Sequence, residues 1–161
     1  MIIWLHVYWR FWEIPVMTID FIIPLVPVPC PRPRVTRGGV TYYPKRYRDY
    51  KRDCTLCIKN NFPSLVIREV KLLECLFVLP RPKYMSKGYS PNLIPHTKRP
   101  DLDNLLKTIN DCLEGAGILS NDCIISDIIA SKRYAEQDGL GARTEVSIQT
   151  YEVKKWGSSY S

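Results

Sequence analysis

The chain is poor in the residues that hold organic cofactors and structural metals. Of its 161 residues two are histidine and eight are glycine. No glycine-rich phosphate loop or dinucleotide fingerprint appears, so the common nucleotide-binding sites are excluded. Six cysteines are present, and Cys54-Thr-Leu-Cys57 has zinc-like spacing. No second pair or histidine cluster completes four ligands, and buried reduced thiols in a reducing cytoplasm are expected instead. Repeats, low-complexity tracts and polar linkers are also missing, which leaves one domain large enough for a real core. Long apolar runs are lacking too. Residues 1–16 carry Ile2, Ile3, Trp4, Leu5, Val7, Trp9, Phe11 and Trp12, but His6, Arg10 and Glu13 interrupt them. That segment is too short and too charged to span a bilayer, and it lacks the basic start of a secretory signal, so no membrane partner is expected. Met17 reads as a natural domain start, giving an extension over 1–16, a domain over 17–153 and a flexible tail over 154–161.

Acid is scarce where base is dense. The formal net charge is +7, and residues 81–99 hold five Lys/Arg and no Asp or Glu. Nine Lys/Arg between Arg10 and Arg52 face only Glu13, Asp20 and Asp49. Such blocks fit a polyanion partner, of which nucleic acid is the commonest.

The hydrophobic pattern predicts an α+β single domain, a mixed β-sheet packed by helices. Strands are expected over 18–26 and 66–79, and a pair over 123–134 and 143–153 joined by a turn at Asp138-Gly139. The proline-rich stretch from Pro27 to Gly39 cannot be helical and presents Arg32, Arg34 and Arg37 on an exposed arm. Pro44 opens a helix to about Asn60 whose visible face is basic, with Lys45 and Arg46 at its start. Leu102 to Glu114 is the clearest helix: apolar residues at 102, 105, 106, 109, 112 and 113 share one face. Asp103 reads as its N-cap, and Gly115 and Gly117 end it.

Lys98-Arg99-Pro100-Asp101-Leu102-Asp103-Asn104-Leu105-Leu106-Lys107 carries the chemistry. Pro100 keeps Arg99 extended, so Asp101 enters the helix rather than lying inside it. Asp103 lies at the helix mouth, with Lys107 and Asp111 following at four-residue steps on one stripe. The plain alternative is a cap and an ion pair without chemistry. Asp122 favours the richer reading. From Asp103 to Leu113 the helix rises about 15 Å, and residues 114–121 can extend about 26 Å. The chain can therefore return Asp122 to the helix N-terminus. Three carboxylates there call for a hard cation such as Mg²⁺ (Mn²⁺ as a substitute), which generates a nucleophile for phosphodiester hydrolysis, with Lys107 stabilising developing charge. Lys98, Arg99, Arg32, Arg34, Arg37, Lys45 and Arg46 are the candidate DNA contacts. His96 reads as a DNA or solvent contact, and Lys132 as a phosphate contact or an exposed residue.

Arg99-x-Asp-Leu-Asp-Asn-Leu-x-Lys, then Asp111, Leu113, a glycine turn and Asp122 before an apolar strand, resembles the RusA-type Holliday junction resolvases over about residues 17–152. Arg32-Pro-Arg-Val-Thr-Arg-Gly-Gly and Tyr43-Pro-Lys are similar to the arm of phage-encoded members. The resemblance implies a RusA-like fold and a homodimeric Mg²⁺-dependent endonuclease that nicks four-way DNA junctions symmetrically in phage or prophage recombination and repair, inside a bacterial host. It assigns Asp101, Asp103 and Asp122 to the metal and Lys107 to catalysis. Asn121 departs from the family, which often has an acid there. A homodimer suits paired cuts, since a two-fold axis relates two identical sites. The apolar face of 102–113 and the sheet edges are its candidate interfaces. The rivals are a structural junction-binding protein that never cuts, and two other Asp-x-Asp enzyme classes. Aspartyl phosphotransferases want a hydrophobic strand before the first Asp, where this chain has Pro95-His-Thr-Lys-Arg-Pro100. Sugar-nucleotide transferases want a larger nucleotide-binding domain.

Overall fold

The computed structural model describes residues 16–86, 92–137 and 139–151. The expected tail and all of the expected extension except Val16 lie outside them, as does Asp138. The elements run β1 (Val16–Ile23), β2 (Arg34–Val35), β3 (Thr41–Tyr42), α1 (Lys45–Asn61), β4 (Val70–Leu79), β5 (Ile94–Pro95), α2 (Leu102–Gly115), β6 (Ile125–Tyr134) and β7 (Arg143–Tyr151). Five strands form a mixed sheet in the order β1-β7-β4-β6-β5, and β2 and β3 make a separate hairpin. The chain is thus an α+β single domain.

The centre of the sheet follows from composition. β4, Val-Lys-Leu-Leu-Glu-Cys-Leu-Phe-Val-Leu, is the most continuously apolar strand, and it takes neighbours on both sides. It pairs parallel with β6 and antiparallel with β7. This corrects the expected β6–β7 pair: β4 lies between them, because its nearly continuous apolar sequence gains most from a central place. The chain leaving β6 crosses the end of β4, where the amide of Ala135 donates to the Leu79 carbonyl at 2.8 Å. Arg143, 6% exposed, fixes this crossover. Its guanidinium donates to both Glu136 oxygens at 2.8 and 2.9 Å and to Glu145 at 2.6 Å. These bonds hold the Glu136 carboxyl at about 2 rather than 4.5.

Both helices share one core with the sheet. Tyr47, Tyr50, Cys54 and Ile58 of α1, with Leu105, Ile109, Cys112 and Leu113 of α2, meet Leu73, Cys75, Phe77, Val146 and Ile148. The helical period predicted for α2 is borne out. Leu105, Ile109, Cys112 and Leu113 of its apolar face are buried within the chain, and Leu102 and Leu106 are partly buried against the same core. Gly117 closes the helix at φ +79°, where a side chain would be strained. The other sheet face, with Asp20, Ile22, Glu74, Leu76 and Ile129, forms an open groove of about 580 Å³. Among the described residues β6 has no strand partner on its outer edge before Arg133, and Ile128 and Ile129 are about half exposed there.

Candidate active site and DNA-binding groove

Alternating prolines build one wall of the site. With Pro at 27, 29, 31 and 33, half the amides of this stretch lack a donor and the chain cannot coil. The amide of Cys30 donates at 2.9 Å to the carbonyl of Asn104 in the first turn of α2. That bond lays the proline strand along the helix mouth. The resulting groove, about 650 Å³, is lined by Pro27, Pro29, Pro31 and Pro80, by Arg32, Arg46 and Arg99, and by Asp101 and Asn104. Three chain segments thus bring three arginines around one carboxylate.

Asp101 is the N-cap of α2 with extended backbone (φ −73°, ψ 145°), and Asp103 lies inside the first turn. The expected cap at Asp103 is therefore displaced by two residues, because the extended backbone continues through Asp101. The Asp101 carboxylate makes no capping bond. Among the described residues Asp103 meets only the Asn104 side-chain amide, at 3.5 Å. Both residues are exposed. Carboxylate oxygens that neither helix capping nor an ion pair consumes fit a hard cation such as Mg²⁺, which takes one or two carboxylates together with water and phosphate. Lys107 is exposed one turn beyond Asp103, and among the described residues the two form no ion pair.

Asp122 lies elsewhere. Its amide donates to Glu114 Oε1 at 2.7 Å, which ties it to the last turn of α2. Asp101 belongs to the first turn, beside the far end of β6, where Lys132 Nζ donates at 2.6 Å to the Pro100 carbonyl. The 14 residues of α2 separate the two ends by about 20 Å. The expected return of Asp122 to the helix N-terminus does not occur within one chain. The physical reason lies in β6, which runs back along α2 from Asp122 and delivers Lys132 to the helix mouth instead. Consistently, no three His, Cys, Asp or Glu side chains among the described residues stand together as a metal cluster. Asn121 caps the turn at 122–124 by accepting from the Cys123 amide at 2.9 Å, a use for the residue that departs from the family pattern.

The remaining candidates separate into groups. Arg34 and Arg37 sit on the exposed β2–β3 hairpin, outside the groove wall. Lys45 is exposed and pairs with Asp49 at 2.7 Å. Lys98 Nζ lies 3.4 Å from the Tyr84 hydroxyl. Asp111 leaves the expected stripe: it accepts from the Tyr47 hydroxyl at 2.9 Å and pairs with Lys51 at 3.3 Å, joining α2 to α1. His96 is buried against Tyr134, with ring centroids 4.2 Å apart, and so is not the solvent or DNA contact expected. Burial, aided by the nearby Lys132 ammonium, lowers its pKa. Sequence reasoning missed the proline wall and the inward lysine. The signal for Lys132 was its parity, since it continues the helix-facing set Ile128 and Ala130.

The family model of the endodeoxyribonuclease RusA matches residues 24–149, most of the chain and every element that forms this groove. The chain belongs to the RusA endodeoxyribonuclease family. Membership makes it a nuclease of a family that resolves Holliday junctions. A search of curated proteins returns no match. Among the described residues no helix is long and apolar enough to cross a membrane.

Proposed function

We propose that this chain is a Mg²⁺-dependent endonuclease that resolves four-way DNA junctions by paired symmetric nicks, as a homodimer, in phage or prophage recombination and repair. The observation that carries the proposal is the groove that sets Asp101 among Arg32, Arg46 and Arg99. A protein that only held DNA would lose affinity by placing carboxylates among its phosphate contacts, whereas a nuclease that holds a cation needs them there. This weighs against a purely structural junction binder. The phage setting rests on the likeness of the Arg32–Gly39 arm to that of phage-encoded members.

In this reading Arg32, Arg46 and Arg99 seat backbone phosphates and draw the scissile strand along the proline wall. Asp101 and Asp103 present carboxylate oxygens at the open mouth of α2. They would hold a divalent cation, which would supply Lewis acidity to the phosphate and lower the pKa of a bound water. Lys107, on the exposed face one turn further on, stabilises charge that builds on the scissile phosphate.

Asp122 takes part only as Asp122 of the partner subunit, because about 20 Å of helix separates it from Asp101 of its own chain. The outer edge of β6, with Ile128 and Ile129 exposed, suits a second copy. Antiparallel pairing of two such edges across a two-fold axis would carry the start of one β6 towards the end of the other. The partner's Asp122 would then approach Lys132 and Asp101.

The test is cleavage of an end-labelled four-way junction and its matched linear duplex, with Mg²⁺ and with EDTA. Paired Mg²⁺-dependent nicks in the junction alone are expected. Tight junction binding without nicks would return the structural binder, and equal cutting of both substrates would make the chain a general nuclease.

A further inference from the structure

Lys132 occupies a position where the sheet otherwise turns apolar residues towards the helices. It lies opposite Phe77 in register, two residues beyond Ala130 on the same face. Its ammonium donates to the carbonyls of Lys98 and Pro100, each at 2.6 Å. Its own carbonyl accepts from the His96 amide at 3.1 Å. One residue of β6 therefore fixes the chain at three points just before Asp101. On the other side of Asp101, its carbonyl receives the Leu105 amide at 3.3 Å, the first bond of α2. Charge-assisted bonds of this length are strong, and an ammonium that holds two carbonyls of one irregular bend acts as a splint.

We propose that Lys132 is a positioning residue for the metal-binding carboxylates: it holds the 98–100 backbone so that Asp101 and Asp103 face one cation together. The proposal rests on Asp101 being a metal ligand. Lys132 gives two of its three donors to carbonyl oxygens beside Asp101, so its role is read as acting through Asp101 rather than on the phosphate.

Two effects of this lysine oppose each other, and they give the test its sign. As a positive charge near a cation site it would weaken metal binding by repulsion, whereas as a splint it strengthens binding by keeping the carboxylates in place. Removing it as K132M tightens metal binding if charge dominates and loosens it if positioning dominates. Loss of a group that orients ligands typically costs about 10–100-fold in metal affinity.

The experiment measures Mn²⁺ binding to the full chain by the loss of the free-ion paramagnetic resonance signal, for wild type, K132M, K132R and D101N. Melting temperature and junction affinity in EDTA are recorded for each. K132M is expected to bind Mn²⁺ about tenfold or more weakly, with junction affinity in EDTA within about twofold of wild type. K132R, which keeps charge and donors, should recover much of the loss. Equal or tighter Mn²⁺ binding by folded K132M overturns the proposal. If K132M does not fold, K132Q, which retains an amide donor, replaces it under the same criterion. D101N separates the two readings: wild-type Mn²⁺ affinity in D101N removes Asp101 from the metal site. Weakened D101N beside unchanged K132M removes only Lys132.

Discussion

Asp101 and Asp122 lie at opposite ends of α2, and their separation makes a quantitative prediction about mixed enzymes. A cation with Mg–O distances of about 2.1 Å admits ligand oxygens only about 4 Å apart or less. The helix between these residues spans about 20 Å, and Asp122 is bound at the far turn through Glu114. If both are ligands, as proposed, one chain cannot supply the two, so D101N and D122N should each be inactive alone yet complement each other. In a random equimolar mixture half of the dimers are heterodimers. In each heterodimer one site joins two mutant residues and the other joins two native ones. About a quarter of the wild-type number of sites is therefore restored. Each heterodimer has a single working site, so the product on an end-labelled junction is a nicked junction and not two resolved duplexes. Co-expressed and co-purified variants with distinguishable tags allow the heterodimer to be isolated before assay. Verified heterodimer no more active than the single variants would refute the trans arrangement, since a site built within one chain is never intact in that mixture.

Other consequences are separable from this one. Lys107→Ala should lower the nicking rate by about 10²–10³-fold, with junction affinity nearly unchanged. A large loss of affinity would make Lys107 a phosphate contact instead. Replacing Arg32, Arg46 and Arg99 together should flatten the dependence of log affinity on log salt by about 2–3, close to 0.9 per phosphate contact. An unchanged slope would remove the groove from the DNA interface. Glu136 is held at about 2, below its usual 4.5, by Arg143. Its contribution to stability is full above about pH 4.5 and fades as pH falls towards 2. Glu136→Gln should therefore destabilise the protein at neutral pH by about 1–3 kcal/mol and flatten its acid unfolding profile. Parallel wild-type and variant curves over that range would contradict this. Ile109→Ala, in the shared core, should cost about 2–5 kcal/mol in denaturant unfolding, and a cost below about 1 would place Ile109 outside the core.

Local features were legible in the sequence because they depend on local physics. The 3.6-residue spacing of Leu105, Ile109, Cys112 and Leu113 carries through to the packed face of α2. Asp101, next after Pro100, stays outside the helix body as expected, as an N-cap with extended backbone. The basic arm became an exposed hairpin because prolines barred a helix and Gly39, at φ +81°, allowed the turn. Long-range pairing was not legible. Nothing in residues 123–153 alone says that β4 inserts between β6 and β7; that follows from competition among strands for the most apolar partner. The Asp122 expectation failed for a related reason. Chain length permits a return to the helix mouth, but β6 starts at the far end of α2 because its parallel register with β4 aligns Ile125 with Val70. Contour length bounds where a residue can go, and pairing decides where it goes.

The distribution of charge joins fold and site. Of the sixteen acids in this basic chain, Asp49, Asp53, Asp111, Glu136 and Glu145 each meet a lysine or arginine within 4 Å. Asp101 and Asp103 have no such partner among the described residues, although Arg32, Arg46 and Arg99 line the same groove. A fold seeking stability alone would let those arginines close on Asp101. The proline wall holds Arg32 in an extended chain, α1 carries Arg46 on a rigid helix, and Lys132 ties down the backbone beside Arg99. Three separate supports thus keep cationic groups near the carboxylates without neutralising them. Under the proposed function the groove suits a ternary state, in which the arginines would find phosphate and the carboxylates metal.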